Sequence, residues 1–199
     1  MTMARTSNTR KWIWIGPLAL LVALAGGAGL AWMRYNYPVH HFAVVAEGVL
    51  YRSGQPPTGR WEDVQRRCRL KTVISVREIK PDAPWYIEEE RFCREQNIKL
   101  IRTPLLEKNF DDAMLYEFVA QVIDPNNQPV LVHCEAGSRR TGVAVAAYRV
   151  LVDGWDVDRA VAEAATLRFV PEQNPISIAA LRRLAAASGA ASRPAPAGK

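Results

Sequence analysis

Residues 130–142 constrain the fold more than any other stretch of this chain. Val130, Leu131 and Val132 lead into His133, and Cys134-Glu135-Ala136-Gly137-Ser138-Arg139-Arg140-Thr141-Gly142 follow without a break. The apolar run is short and uninterrupted, the pattern of a strand buried on both faces. From about residue 141 to 152 the pattern predicts a helix, ended by Asp153-Gly154. A buried strand that turns sharply into a helix belongs to an α/β layer, where ligands bind beyond the carboxyl ends of the strands.

The flanking sequence supplies the rest of that layer. Residues 42–51 are rich in β-formers and broken by Glu47-Gly48, which predicts a hairpin; 70–76 and 99–103 predict further strands, the second closed by Pro104. Helices are expected over 61–69, 85–96, a stretch ending at 123, 156–168 and 176–187. In the second of these, Ile87, Arg91 and Phe92 share a face, and Glu88-Glu89-Glu90 reads as a solvated one. In the third, Leu115, Phe118, Val119 and Val122 form the apolar stripe and Asp111 or Asp112 the cap. The expected fold is α/β, a mostly parallel central sheet flanked by helices, over residues 42–187. Residues 188–199, rich in Ala, Pro, Ser and Gly, read as a disordered tail.

Charge matters here mainly for what it excludes. The chain of 199 residues carries a formal +6, but residues 1–41 hold four basic groups and no acid, leaving 22 basic against 20 acidic groups in the remainder. A nearly balanced domain of this kind does not present a nucleic-acid-binding face. Residues 12–33 contain no charge over 22 positions, flanked by Arg10 and Lys11 before and Arg34 after, with Trp12, Trp14, Trp32, Tyr35 and Tyr37 at the ends. At about 1.5 Å per residue the run spans a hydrocarbon core of ~30 Å. It reads as a transmembrane anchor in a lipid bilayer, after a short basic N-terminus (1–11) and before a linker (34–41). A cleaved secretory signal with a small-residue site around 25–31 is the competing reading. The basic bias puts the N-terminus in the cytoplasm and the domain outside it, as a single-pass protein of a bacterial-type inner membrane.

The turn at residue 134 has its own chemistry. Backbone N–H groups at a strand-to-helix turn converge, and the helix N-terminus adds positive potential, so a phosphate dianion fits there. The same field favours a thiolate on Cys134. Gly137 permits the tight path, Arg140 can bring a two-pronged guanidinium onto the same phosphate, and Thr141 offers a hydroxyl to the sulfur. Glu135, Ala136, Gly137, Ser138, Arg139 and Arg140 are thus the candidate phosphate-binding turn.

Residues 133–142 resemble the H-C-x5-R-[ST]-G signature of cysteine-dependent dual-specificity protein phosphatases. Leu50-Tyr51-Arg52-Ser53-Gly54-Gln55-Pro56 resembles the "YRSGQP" opening of the atypical fungal, plant and bacterial members, and Pro129 to Cys134 resembles their strand into the loop. The resemblance covers about residues 42–185. It implies a protein tyrosine phosphatase-like fold, attack by Cys134 on phosphorus, phosphoryl oxygens held by Arg140, and hydrolysis of the phosphocysteine by water, with no metal or other cofactor. It further implies that His133 helps keep the cysteine ionised and that Thr141 aids breakdown of the phosphoenzyme. The family's carboxylic acid usually precedes the cysteine by about 30 residues, a position taken here by Pro104. Glu107, Asp111 and, behind them, Asp112 are the candidates. Arg52 either lines the site or serves as a structural ion-pair partner.

The substrate implied is a phosphomonoester, a phosphorylated protein before a phosphoinositide or inositol phosphate. Relatives acting on highly phosphorylated inositols carry several basic residues between the cysteine and the arginine, whereas here Glu135 offsets Arg139. A membrane-tethered pseudophosphatase that binds phosphorylated partners, and a rhodanese-type sulfurtransferase, are the alternatives. Cys68 and Cys93 read as small buried apolar residues.

Overall fold

The computed structural model describes residues 26–27, 39–106 and 111–189. Val39–Lys199 form one compact unit, separate from the unit Met1–Pro38. The expected anchor at 12–33 therefore lies outside the described residues, apart from helical Gly26 and Gly27. No helix among the described residues is long and apolar enough to cross a membrane.

Five strands build the sheet: β1 (Ala43–Ala46), β2 (Leu50–Gly54), β3 (Thr72–Ser75), β4 (Lys99–Arg102) and β5 (Val130–Cys134), in the order β1-β2-β5-β3-β4. β2, β5, β3 and β4 run parallel, while β1 pairs antiparallel with β2 through the hairpin at Glu47-Gly48. The sheet is thus mixed, because a tight turn can only return the chain antiparallel. β5 is central and wholly buried, as its unbroken apolar run requires.

Among the described residues of this unit, six α-helices flank the sheet: α1 (Trp61–Cys68), α2 (Pro84–Glu95), α3 (Asp112–Ile123), α4 (Arg139–Leu151), α5 (Val157–Thr166) and α6 (Pro175–Ser188). Side chains alternate across a strand, and β5 divides accordingly. Val130, Val132 and Cys134 enter the larger core with Phe118, Val143, Ala147 and Leu181, while Leu131 packs in the smaller one with Trp61, Val64, Phe92 and Cys93. His133 shares the second face, its ring edge-on to Trp61 at 5.6 Å.

Two expectations, both on α2, are corrected. On α2 the buried positions are Glu89, Phe92 and Cys93, while Ile87 is 56 % exposed, so the inward face is rotated from the expected one. Glu89 accordingly is not solvated; it is fully buried. The compact unit begins at Val39. α6 runs through Ser188 and ends on Gly189 at φ 66°, so the tail of which nothing is described begins at 190.

Candidate active site

Parallel pairing sets the site. Gly54 on β2 lies in register with Cys134, and Ser53 and Ser75 flank His133, so three strand ends converge on the turn. The turn folds back on β2: the Gln55 N–H donates to the Glu135 carbonyl (2.9 Å), and Arg52 Nη2 donates to the Gly137 carbonyl (2.7 Å). Arg52 is buried, and desolvation lowers its guanidinium to about 10. The acceptor of its Nη2 is a loop carbonyl, which makes it a brace under the turn. Gly137 sits at φ 76°, and a Cβ there would lie 2.3 Å from the Gly54 nitrogen. Glycine is required twice over, for the left-handed backbone and for the approach of two main chains. Gly54 is equally confined, since its Cβ would meet the Ala136 carbonyl at 2.9 Å.

The turn presents its groups inward. The Gly137 N–H donates to Cys134 Sγ at 3.2 Å. Ser138 is the N-cap of α4 but makes no side-chain capping bond, so that helix's first amides remain for the turn to use. Arg140, in the first turn of α4, places Nη1 2.5 Å from Glu78 Oε2, and Nη2 3.8 Å from Glu135. The hydrogen bond from Arg140 pulls the Glu78 carboxyl down to about 2. Arg77 stands beside them, 3.7 Å from both Glu78 and Glu135, with its guanidinium 3.6 Å above the Trp85 ring. His41 adds Nδ1 at 2.6 Å from the Ala136 carbonyl.

The predicted residues fare differently. Cys134, His133, Arg140 and the turn are brought together, with Arg52 beneath. Thr141 is buried, and its hydroxyl lies 3.5 Å from the Ser53 carbonyl on β2. Asp111 caps α3 by accepting from the Ala113 N–H, and Asp112 binds Arg183 through both oxygens at 2.6 and 2.7 Å. Glu107 lies outside the described residues. Sequence reading missed Glu78, Arg77, His41 and the buried Glu89. Glu78 carried a signal, since it follows a parallel strand at the sheet's carboxyl edge. Among the described residues no cluster of His, Cys, Asp and Glu is arranged to hold a metal ion.

Comparison with known proteins fits this geometry. A sequence profile of the tyrosine phosphatase family matches residues 37–174. The tyrosine-protein phosphatase-like protein OCA2 of Saccharomyces cerevisiae is 31 % identical over 128 residues, covering 62 % of either chain. The dual specificity protein phosphatase TpbA of Pseudomonas aeruginosa is 31 % identical over 115 residues, 57 % of this chain and 49 % of that one. The inositol diphosphatase SIW14 of S. cerevisiae is 29 % identical over 119 residues, 57 % of this chain and 41 % of that one. The chain thus spans roughly half the length of these curated relatives. The crystal structure of the SIW14 core catalytic domain superposes with a TM-score of 0.61 at 25 % identity, over 77 % of this chain and 95 % of that one. The TpbA crystal structure superposes with 0.57 at 26 %, over 75 % and 91 %.

Proposed function

The chain belongs to the tyrosine phosphatase family, and from that premise we propose that it hydrolyses phosphomonoesters through a phosphocysteine on Cys134. The observation that carries this reading is the turn itself: Cys134 Sγ receives the Gly137 N–H while Arg140 Nη2 lies 3.8 Å from Glu135 of the same turn. The Cys134 thiolate attacks phosphorus, the ester P–O bond breaks, and the leaving oxygen takes a proton from a carboxylic acid. Water then attacks the phosphocysteine and gives its proton to that carboxylate, releasing phosphate and the thiolate. Glu107 is the acid in this proposal, because Asp111 and Asp112 are engaged with Ala113 and Arg183. Arg140 supplies two N–H donors to the equatorial oxygens, where charge develops.

The substrate in this reading is a phosphoprotein. Glu135 lies against Arg77 and Arg140 and offsets positive charge at the rim, which suits a single phosphoryl group better than a crowded polyanion. The relatives named inositol diphosphatases favour the second reading, an inositol phosphate. The full chain should hydrolyse an aryl phosphate and lose that activity in Cys134→Ser. A panel of phosphotyrosine and phosphoserine peptides, a phosphoinositide and inositol pyrophosphates then ranks the substrates. Binding of phosphopeptides without turnover would replace the enzyme by a phosphate-binding module. Residues 12–33 complete the proposal as a bilayer anchor that places the domain outside the cytoplasm. A compartment-specific reporter fused after Lys199 tests that orientation.

A further inference from the structure

β5 ends with two adjacent side chains on opposite faces of the sheet, Cys134 toward α4 and His133 toward α2. His133 and Glu89 are both fully buried, and His133 Nε2 lies 2.5 Å from Glu89 Oε1. Among the described residues neither atom has a hydrogen-bond partner elsewhere, so in a sealed site the two satisfy each other. The second oxygen of Glu89 receives Arg102 Nη1 from β4, and that guanidinium stacks 3.5 Å above the Tyr86 ring. On the far side of the imidazole, His133 Nδ1 lies 3.3 Å from the Cys134 carbonyl. A carbonyl and a carboxylate only accept, so the ring satisfies both neighbours only when both of its nitrogens carry protons.

Resting on the phosphatase reading above, we propose that Glu89 is a positioning residue for the nucleophile: its buried carboxylate holds His133 as a doubly protonated ring against the Cys134 main chain, and so keeps the sulfur ionised. Charge balance supports this. Burial pushes the Glu89 carboxyl up, yet His133 and Arg102 outweigh that effect and hold it below the usual carboxylate range. With Glu89 neutralised, the doubly protonated ring would lose the acceptor opposite its Nε2 in a sealed pocket. Cys134 would then lose the cation next to it. Other charged groups near the turn are Arg52 from β2, Arg77 and Glu78 from the segment after β3, Glu135 in the turn, and Arg139 and Arg140 in α4. His41 reaches the turn from the N-terminal side. Glu89 is fully buried on the His133 face of β5, opposite the core that holds Cys134, so its effect passes through His133.

The test reads the sulfur directly. Iodoacetamide alkylation of the Cys134 peptide, followed by mass spectrometry across pH in the full chain, should shift upward by about one unit or more in Glu89→Gln. Below the inflection this is a tenfold or greater loss of rate. Glu90→Gln on the same helix should leave the profile in place. Should Glu89→Gln fail to fold, ring ¹⁵N shifts of His133 in the unaltered chain decide, with both nitrogens expected protonated at pH 7. A neutral His133 ring, or an unmoved profile in a folded Glu89→Gln, overturns the proposal. Neither readout needs turnover, so failure of the phosphatase reading shows separately, as aryl phosphate hydrolysis that survives Cys134→Ser.

Discussion

Arg140 Nη1 rests 2.5 Å from Glu78 Oε2, so the guanidinium aimed at the phosphate turn is already held by a carboxylate from the neighbouring strand end. The contact uses one terminal nitrogen. The other faces Glu135, which is 65 % exposed and free to swing away when a dianion arrives. Glu78 therefore orients Arg140 rather than occupying its whole donor edge.

Glu78→Gln should lower kcat/KM on an aryl phosphate by about tenfold, through a loosened arginine. It should also alter the pH dependence of stability. The folded carboxyl is held down at about 2, below its unfolded value of about 4.3, so it adds stability above the unfolded value. That stability is lost as pH falls through about 2. Denaturant titrations from pH 6 to pH 2 should therefore fall less steeply in Glu78→Gln; parallel curves would remove the pair from the account.

Gly137→Ala should abolish activity and destabilise the domain. The left-handed backbone alone costs on the order of 1–3 kcal/mol for a side chain. The added methyl would also lie 2.5 Å from the Ser53 carbonyl carbon, where β2 cannot retreat without breaking its register with β5. Retained aryl phosphate hydrolysis with an unchanged melting temperature would mean that the turn is not braced on β2 as described.

The acid can be assigned by substitution. Asp111→Asn should keep both the α3 cap and full activity, because asparagine caps as well as aspartate, whereas Asp111→Ala should cost about 1 kcal/mol of stability. Glu107→Gln should slow substrates with poor leaving groups far more than aryl phosphates, since only the former need the proton. A leaving-group-dependent loss in Asp111→Asn would move the role to Asp111.

The three thiols should separate on alkylation. Burial pushes Cys68 up to about 11 and Cys93 up to about 12, whereas Cys134, equally buried, ends β5 at the turn and accepts the Gly137 N–H. Brief iodoacetamide treatment of the folded chain at pH 7.5 should therefore label Cys134 and spare the other two, as read by peptide mass spectrometry. Equal labelling of Cys68 would contradict the described core.

The strand, turn and helix at 130–151 were legible because each signal is local. An unbroken apolar run fits only a buried strand, and a glycine three residues past the cysteine fits a tight turn. Buried Cys68 and Cys93 and the α3 stripe were legible for the same reason, and the α3 cap was narrowed to Asp111 or Asp112. The inward face of α2 was not. Ile87 and Phe92 suggested one rotation by hydropathy, and Glu89 was assigned to water as one of three consecutive acids. Its burial depends on His133 and Arg102, 44 and 13 positions away in the chain.

Local chemistry in the sequence by itself thus determined the proposed nucleophile, the proposed phosphate-binding arginine and the turn that joins them, because backbone conformation and spacing over ten residues do not depend on distant partners. Only the tertiary structure decided which carboxylates accompany them. Glu78 reaches Arg140, and Glu89 reaches His133, because β3 and α2 are packed beside β5. A charge's partner across a sheet is set by register and helix rotation, and neither is written in the residues that bear the charge.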